Sequence, residues 1–341
     1  MHPLDLVSIG TPAGAWAARE RWSILSTGEP VVVDLSVLTP ATMDELGPAC
    51  GVALREIAAP VVVVGEPSAA PEWLVEAADI CVTTRLDATR EWVTGDPAAV
   101  VSAVIAQPLA ALALVRLLRA TIALPVHDAI DAEASTYAAL LGSRSHREWL
   151  AARETRPHHD GEAEPVIVRR VDHVLHVELN RPQVRNALDR SMRDHLVQAL
   201  ALAEANPGLH VELSGKGPSF CSGGDLSEFG LVEDPATAIA IRASQHPGAS
   251  AHRVASRLTA TVHGSCVGAG VEIPAFAWKV IARGDATFRL PELAMGLVPG
   301  AGGTVSIPRR IGRHRTAWLA VTGEPLCAGT ALEWGLVDEL G

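Results

Sequence analysis

The chain has 341 residues, 48% of them hydrophobic and 20% charged, with a formal net charge of −11. That is enough to bury a sizeable core, and the length points to about two domains. An acidic chain without a Lys/Arg run gives no support for nucleic-acid binding, PRRIGRHR at 308–315 being a local basic spot.

The N-terminus MHPLDLVSIG lacks a basic region followed by an apolar one, so no secretory signal is expected. In the first 103 residues, PVVVDLSVL and PVVVVGEP are β-branched runs that read as buried parallel strands. Residues 39–57 between them read as a helix with Thr39 or Thr42 as its cap. ADICVTTR at 78–85 reads as a further strand. The uncharged run 97–115 reaches membrane-spanning length, but Gln107 and Pro108 interrupt it. Two buried or amphipathic helices are therefore expected, and no membrane partner.

From 107 onward the pattern is helical: QPLAALALVRLLRAT, then VHDAIDAEASTYAALLG with Gly142 as its stop, then SRSHREWLAAR. The polar segment TRPHHDGEAEP, 155–165, reads as a linker. VIVRRVDHVLHVELN predicts a hairpin turning near Asp172 and His173. RSMRDHLVQALALAEAN predicts an amphipathic helix, and LHVELSG a strand. ASRLTATVHG is expected to run as a strand into a helix at GAGVEIPAFAW, and VIARGDATFRL as one more strand. This alternation of strands and helices predicts an α/β layer fold.

Five cysteines form no CxxC pair, which argues against a disulfide framework and for a reducing, cytoplasmic setting. No His/Cys/carboxylate spacing suits a metal; the pair His158–His159 stands alone in the linker. Two glycine-containing turns follow strands, CSGGD at 221–225 and GSCVGAGVE at 264–272. Such turns leave backbone N–H groups free at a helix start, and two facing each other could hold one oxyanion. Each alone is more often a plain turn. Glu272 opens the helix after the second turn and Glu292 follows Pro291; singly, each is more often a solvated cap or a loop residue.

The segment 166–341 closely resembles the enoyl-CoA hydratase/isomerase family, the crotonase superfamily. The resemblance rests on LNRPQVRNAL (179–188), SFCSGGDL (219–226), VHGSCVGAGVE (262–272), ATFRLPELAMGLVPGAGGT (286–304) and TGEPLCAGTALEWGLVDE (322–339), in family order and spacing. It implies a crotonase-like core of ββα repeats with a helical layer. It also implies a thioester oxyanion hole from the backbone N–H groups of Gly224 and Ala269, with Glu272 and Glu292 as the acid/base pair. CoA would lie along Ser222, Gly224, Asp225, Leu226, Ser227 and Ala269, with Arg185 and Ala187 near its nucleotide end. No cofactor is implied beyond the CoA of the substrate. The first reading is hydration of a 2-enoyl-CoA to a 3-hydroxyacyl-CoA. The alternatives are an isomerase, hydrolase or decarboxylase of the same superfamily, or a non-catalytic CoA-binding or scaffold protein. The resemblance also implies a homo-oligomer, a trimer or its multiple.

The sequence departs from the family pattern in places. Trp278–Lys279 stand where Cys-Asp is common, and Arg289 stands three residues before Glu292, where it could pair with that acid or point away. His263 reads as a packing or backbone-bonding residue and Cys266 as a small core residue. Residues 230–260 are expected to shape the acyl pocket. The family's C-terminal helical layer is missing after Gly341, yet 104–157 resembles it. Residues 1–154 therefore read as a degenerate crotonase-like half, with a helical layer at 104–154, set before a linker at 155–165 and a catalytic core at 166–341. An unrelated α/β domain is the alternative. The layer at 104–157 is expected to pack over a core formed by 166–341, in the same chain or in a neighbouring copy.

Overall fold

The computed structural model describes residues 10–39, 46–85, 89–154, 164–232 and 234–341. The chain forms two compact units, one of residues 1–116 and 312–322, the other of 117–311 and 323–341. Most of the segment expected to be a linker, 155–163, and the candidate cap Thr42 lie outside the described residues.

In the first unit, β1 (Val31–Asp34), β2 (Val61–Val64), β3 (Ile80–Thr83) and β4 (Trp92–Thr94) pair in that order, all parallel. Val61, Val62 and Val63 are fully buried, which is why these strands read as unbroken apolar runs. Around them lie α1 (Pro12–Arg21), α2 (Pro48–Glu56), α3 (Glu72–Ala77) and α4 (Pro97–Ala106). The described part of the helix expected at 39–57 starts at Pro48, after Gly47. Proline suits this first helical position because its missing N–H would be unpaired there anyway. Asp96 caps α4 by accepting from Ala98 N. The chain then bends by 112° into α5 (Pro108–Thr121). No single helix among the described residues is long and apolar enough to cross a membrane.

The second unit holds a six-stranded sheet ordered β13-β10-β8-β7-β6-β5 and a three-stranded sheet ordered β12-β11-β9. The six-stranded sheet is built from β5 (Val166–Val171), β6 (Val174–Leu179), β7 (His210–Gly215), β8 (Leu258–Val262), β10 (Lys279–Ala282) and β13 (Glu339–Leu340). The hairpin β5–β6 is antiparallel and turns at Asp172, whose φ of 52° suits a tight turn. The other pairs in this sheet are parallel.

The smaller sheet is β9 (Ser265–Val267), β11 (Thr287–Arg289) and β12 (Leu326–Cys327). VIARGDATFRL is therefore two strands in two sheets and not one. Arg283, Gly284 and Asp285 supply turn chemistry, and Ala286 N closes the turn on Arg283 O at 2.9 Å.

Helix α6 (Val126–Leu141) buries Ala129, Ile130, Glu133, Ala134, Tyr137 and Ala138. It packs against α9 (Pro235–Ser244), α10 (Pro247–Arg253) and α12 (Gly303–Ile311). Helix α7 (Arg144–Ala152) packs on the 3-10 turn Glu292–Met295. Helices N-terminal to the 155–165 segment thus share one compact unit with the core C-terminal to it. Helix α8 (Arg190–Glu204) lays Met192, Leu196, Ala199, Leu200 and Ala203 on the sheet, at helical spacing. Short α11 (Ala269–Glu272) follows β9 directly, and α13 (Ala328–Trp334) follows β12. GAGVEIPAFAW is not one helix, since Pro274 ends α11 and starts a 3-10 turn over Pro274–Phe276.

Candidate active site

The two glycine turns meet. Cys221 and Cys266 form a parallel bridge, and Val267 N donates to Cys221 O at 2.9 Å. Gly223 has φ of 89°, and a Cβ there would come 3.1 Å from Val267 O. Gly268 has φ of 51°, and a Cβ there would lie 2.5 Å from Glu292 Oε1 and 3.8 Å from Glu272 Oε1. Only a residue without a side chain lets both carboxylates close on this point.

Leu188 pairs with Gly224 across a parallel bridge that uses Gly223 O and Asp225 N. The Gly224 N–H faces the other way. Ala269 is the first residue of α11, where no preceding helical turn supplies a carbonyl to its N–H. Among the described residues the only positive φ values outside glycine are at Asp172, Arg185 and Asn186. Alanine at 269 is thus unstrained. Gly224, Ala269, Glu272 and Glu292 all line one pocket of about 220 Å³.

The two acids sit in unequal surroundings. Glu272 is 2% exposed, and its Oε2 accepts from Ala301 N at 2.7 Å and Gly303 N at 2.8 Å. Burial pushes it up to about 7, while these N–H groups and the Arg242 cation pull the other way. Glu292 Oε2 is buried and has no hydrogen-bond partner among the described residues. Burial, then the neighbouring charge of Glu272, pushes Glu292 well above the usual carboxylate range.

A third buried carboxylate completes the network. Glu133, on α6, accepts from Gly302 N (2.7 Å), Thr304 N (2.8 Å) and Thr304 Oγ1 (2.6 Å). Alternate N–H groups of the turn 301–304 thus go to Glu272 and Glu133. Burial and the Glu272 charge push Glu133 up to about 8, against those three donors. The turn bearing Glu292 is held from α7, where His146 Nδ1 donates to Met295 O at 2.8 Å. The helical layer thereby braces the turn that holds Glu272 and the turn that carries Glu292.

The remaining expected residues divide. Asp225 lines the pocket, yet its carboxylate serves the loop. Burial opposes its ionisation, but Ser227 N (3.0 Å), Ser227 Oγ (2.7 Å) and the Arg181 guanidinium (3.2 Å) hold its carboxyl below the ordinary range. Buried Arg181 also pairs with Asp189 at 3.0 Å. Arg185, Ala187, Ser222, Leu226 and Ser227 lie outside the pocket lining. Arg185 is exposed, and its carbonyl accepts from Ser222 N at 3.0 Å. Ala187 is buried and offers its carbonyl to Arg181.

Arg289 turns outward, donating from Nε to Gly323 O at 2.6 Å. Lys279 pairs with Glu339 and Trp278 is 68% exposed, so neither enters the pocket. His263 bonds the carbonyl of Gly217 at 2.9 Å, and Cys266 is buried. Among the described residues no cluster of His, Cys, Asp and Glu suits a metal ion.

Sequence reasoning did not single out Glu133, Tyr137, Arg242 or His246, all close to the acids. A signal existed for Glu133: it falls one turn after Ala129 on the apolar face of its helix, where a carboxylate needs buried donors.

A family profile described as enoyl-CoA hydratase/isomerase matches residues 169–340. The mevalonyl-coenzyme A hydratase of Beauveria bassiana is 33% identical over 49% of this chain and 63% of its own length. The 2,3-dehydroadipyl-CoA hydratase of Escherichia coli K12 is 34% identical over 51% of this chain and 68% of its own length. A crystal structure of an enoyl-CoA hydratase from Thermoplasma volcanium covers 53% of this chain and 73% of its own, at 31% identity and a TM-score of 0.48. The chain thus spans less than two thirds of the first of these relatives. The profile match runs through both glycine turns and both pocket carboxylates, and with it the chain belongs to the enoyl-CoA hydratase/isomerase family, its second unit built on that family's crotonase-like α/β core.

Proposed function

We propose that this protein hydrates a 2-enoyl-CoA to a 3-hydroxyacyl-CoA in the pocket between the two glycine turns. The observation that carries this reading is the convergence of two buried carboxylates of unequal surroundings on Gly268, beside the outward N–H groups of Gly224 and Ala269. In this reading the thioester oxygen accepts from those two N–H groups, which are preorganised for the charge of an enolate. Glu272, stabilised as an anion by two N–H donors, takes a proton from water as the water oxygen bonds to the β-carbon. Glu292, held protonated by burial, delivers its proton to the α-carbon as the enolate collapses. Proton transfer from Glu272 back to Glu292 restores the site, and the net change is addition of one water.

The hydratase names of the relatives support the same chemistry. The CoA portion would pass along Gly224 and Asp225 at the pocket wall, with Leu226 and Ser227 following. The parallel order β1-β2-β3-β4, with helices between β1 and β2 and between β2 and β3, supports reading residues 1–154 as a degenerate crotonase-like half. The family resemblance supports a trimeric or higher homo-oligomer.

The test is an assay with a short 2-enoyl-CoA, following loss of the conjugated thioester absorbance. Hydration by the native chain, lost in both Glu272→Gln and Glu292→Gln, is the expected result. Binding of CoA esters with no turnover at any chain length would overturn the catalytic reading, and release of free CoA would replace it with hydrolysis.

A further inference from the structure

One wall of this pocket carries two buried hydrogen-bond donors with no acceptor among the described residues. Arg242 on α9 stacks its guanidinium 3.9 Å above the Tyr137 ring. Its Nε is buried and has no acceptor among the described residues, and among them no carboxylate lies within ion-pair distance. His246, which caps the start of α10 and is 5% exposed, receives the Ala249 N–H on Nδ1 at 3.2 Å. Its proton therefore sits on Nε2, which is likewise buried and has no partner among the described residues. Both residues line the same pocket as Glu272 and Glu292.

Leaving even one buried donor unpaired is costly. Two such groups on one wall of one pocket are satisfied together by an anionic acceptor brought in by the ligand. The stacking on Tyr137 fixes the plane of the guanidinium, which suits recognition of a carboxylate. Tyr137 in turn rests against Gly300, where a Cβ would come 2.4 Å from its ring, next to the Ala301 N–H that holds Glu272. The donors thus belong to the acyl end of the pocket, on the side of Glu272.

We propose that the acyl group taken by this protein carries a carboxylate of its own, bound by Arg242 and His246, so that the substrate is the mono-CoA thioester of an unsaturated dicarboxylic acid. This rests on reading the pocket as an acyl-CoA site, and it deepens that reading by assigning the substrate class and the two residues that select it. Neither residue takes part in proton transfer.

Binding by the native chain tests this without requiring turnover. Calorimetry would compare saturated acyl-CoAs in pairs of equal length: succinyl-CoA with butanoyl-CoA, glutaryl-CoA with pentanoyl-CoA, and adipoyl-CoA with hexanoyl-CoA. The CoA contribution cancels within each pair. For at least one length the carboxylate-bearing ester should bind about 10- to 100-fold more tightly, the range for a hydrogen-bonded charged group. That ratio should collapse in Arg242→Met, survive in part in Arg242→Lys, and fall several-fold in His246→Leu. The ratio, and not absolute affinity, is the readout, so a general weakening of the pocket does not imitate the effect. Equal binding of both members of every pair by the native chain, or an unchanged ratio in Arg242→Met, would overturn the proposal while leaving the acyl-CoA site standing. Failure to bind any acyl-CoA would overturn the acyl-CoA reading itself.

Discussion

Replacing Glu133 with Ala tests whether a helix preceding the core in sequence helps to build the site. The substitution removes the acceptor of three buried donors, Gly302 N, Thr304 N and Thr304 Oγ1. Each unsatisfied buried donor costs roughly 1–3 kcal/mol. Part of the sum is offset, because the variant no longer buries a carboxylate that its surroundings push up to about 8. Three such donors sum to about 3–9 kcal/mol, and the offset brings the expected net loss to about 3–5 kcal/mol. Urea unfolding followed by circular dichroism, with an unchanged slope, would measure it. The same turn presents Ala301 N and Gly303 N to Glu272. Hydratase kcat should therefore fall by at least tenfold in buffers where the variant is still folded, because a loosened turn no longer fixes the acid. Glu133→Gln, which keeps one acceptor oxygen, should lie between the two proteins on both measures. A Glu133→Ala protein within 1 kcal/mol of the parent and with native kcat would refute the reasoning, since the three bonds would then hold nothing that matters.

Other consequences follow from the same geometry. Glu272→Gln and Glu292→Gln should each lower kcat by about 10²–10⁴-fold, the usual contribution of a positioned acid or base, with stability little changed. The pH profile of kcat/KM should rise through about 7 as Glu272 ionises, then fall at higher pH as Glu292 ionises; a rise that follows the ordinary carboxylate value of 4.5 would contradict the burial of Glu272. Gly268→Ala should cost about 1–3 kcal/mol in a thermal melt and abolish activity, because it pairs a strained positive φ with a Cβ 2.5 Å from Glu292 Oε1. Glu133, Glu272 and Glu292 all have folded-state pKa values above 4.5, so their contribution to stability is complete below that pH and lost as pH rises through 7 and 8. His246 and His314, lowered to about 4, act in the opposite sense, but only below 6.5. Stability should therefore fall between pH 6.5 and pH 8, and a Tm that climbs over that interval would contradict the assignment.

The chemistry of this protein is written locally. The turns at 221–225 and 268–272 need residues without side chains at positive φ, and such needs show in a linear sequence as glycines at fixed places. The acids follow at set distances along strands and turns that are themselves local, so Glu272 and Glu292 are legible in the linear chain. The periodicity of α8 and the alternation of β6 are legible for the same reason: which face a side chain occupies depends only on its own element. What tertiary structure alone decided is which distant groups meet. Glu133 lies 169 residues before Gly302, and nothing near either of them in sequence states that its carboxylate will receive that N–H. Arg242 and His246 carry no local mark of a pocket, because an arginine in a helix is most often solvated; that Arg242 Nε and His246 Nε2 have no partner among the described residues becomes visible only once their neighbours are in place. The split of 279–290 into two sheets was equally hidden, because strand propensity reports how a side chain fits a pleated, half-buried surface, whereas the choice of sheet is set by which edges remain to be paired. Sequence by itself determined the reacting groups and the turns that present them. Packing decided which buried donors hold those groups, and which donors were left for a ligand.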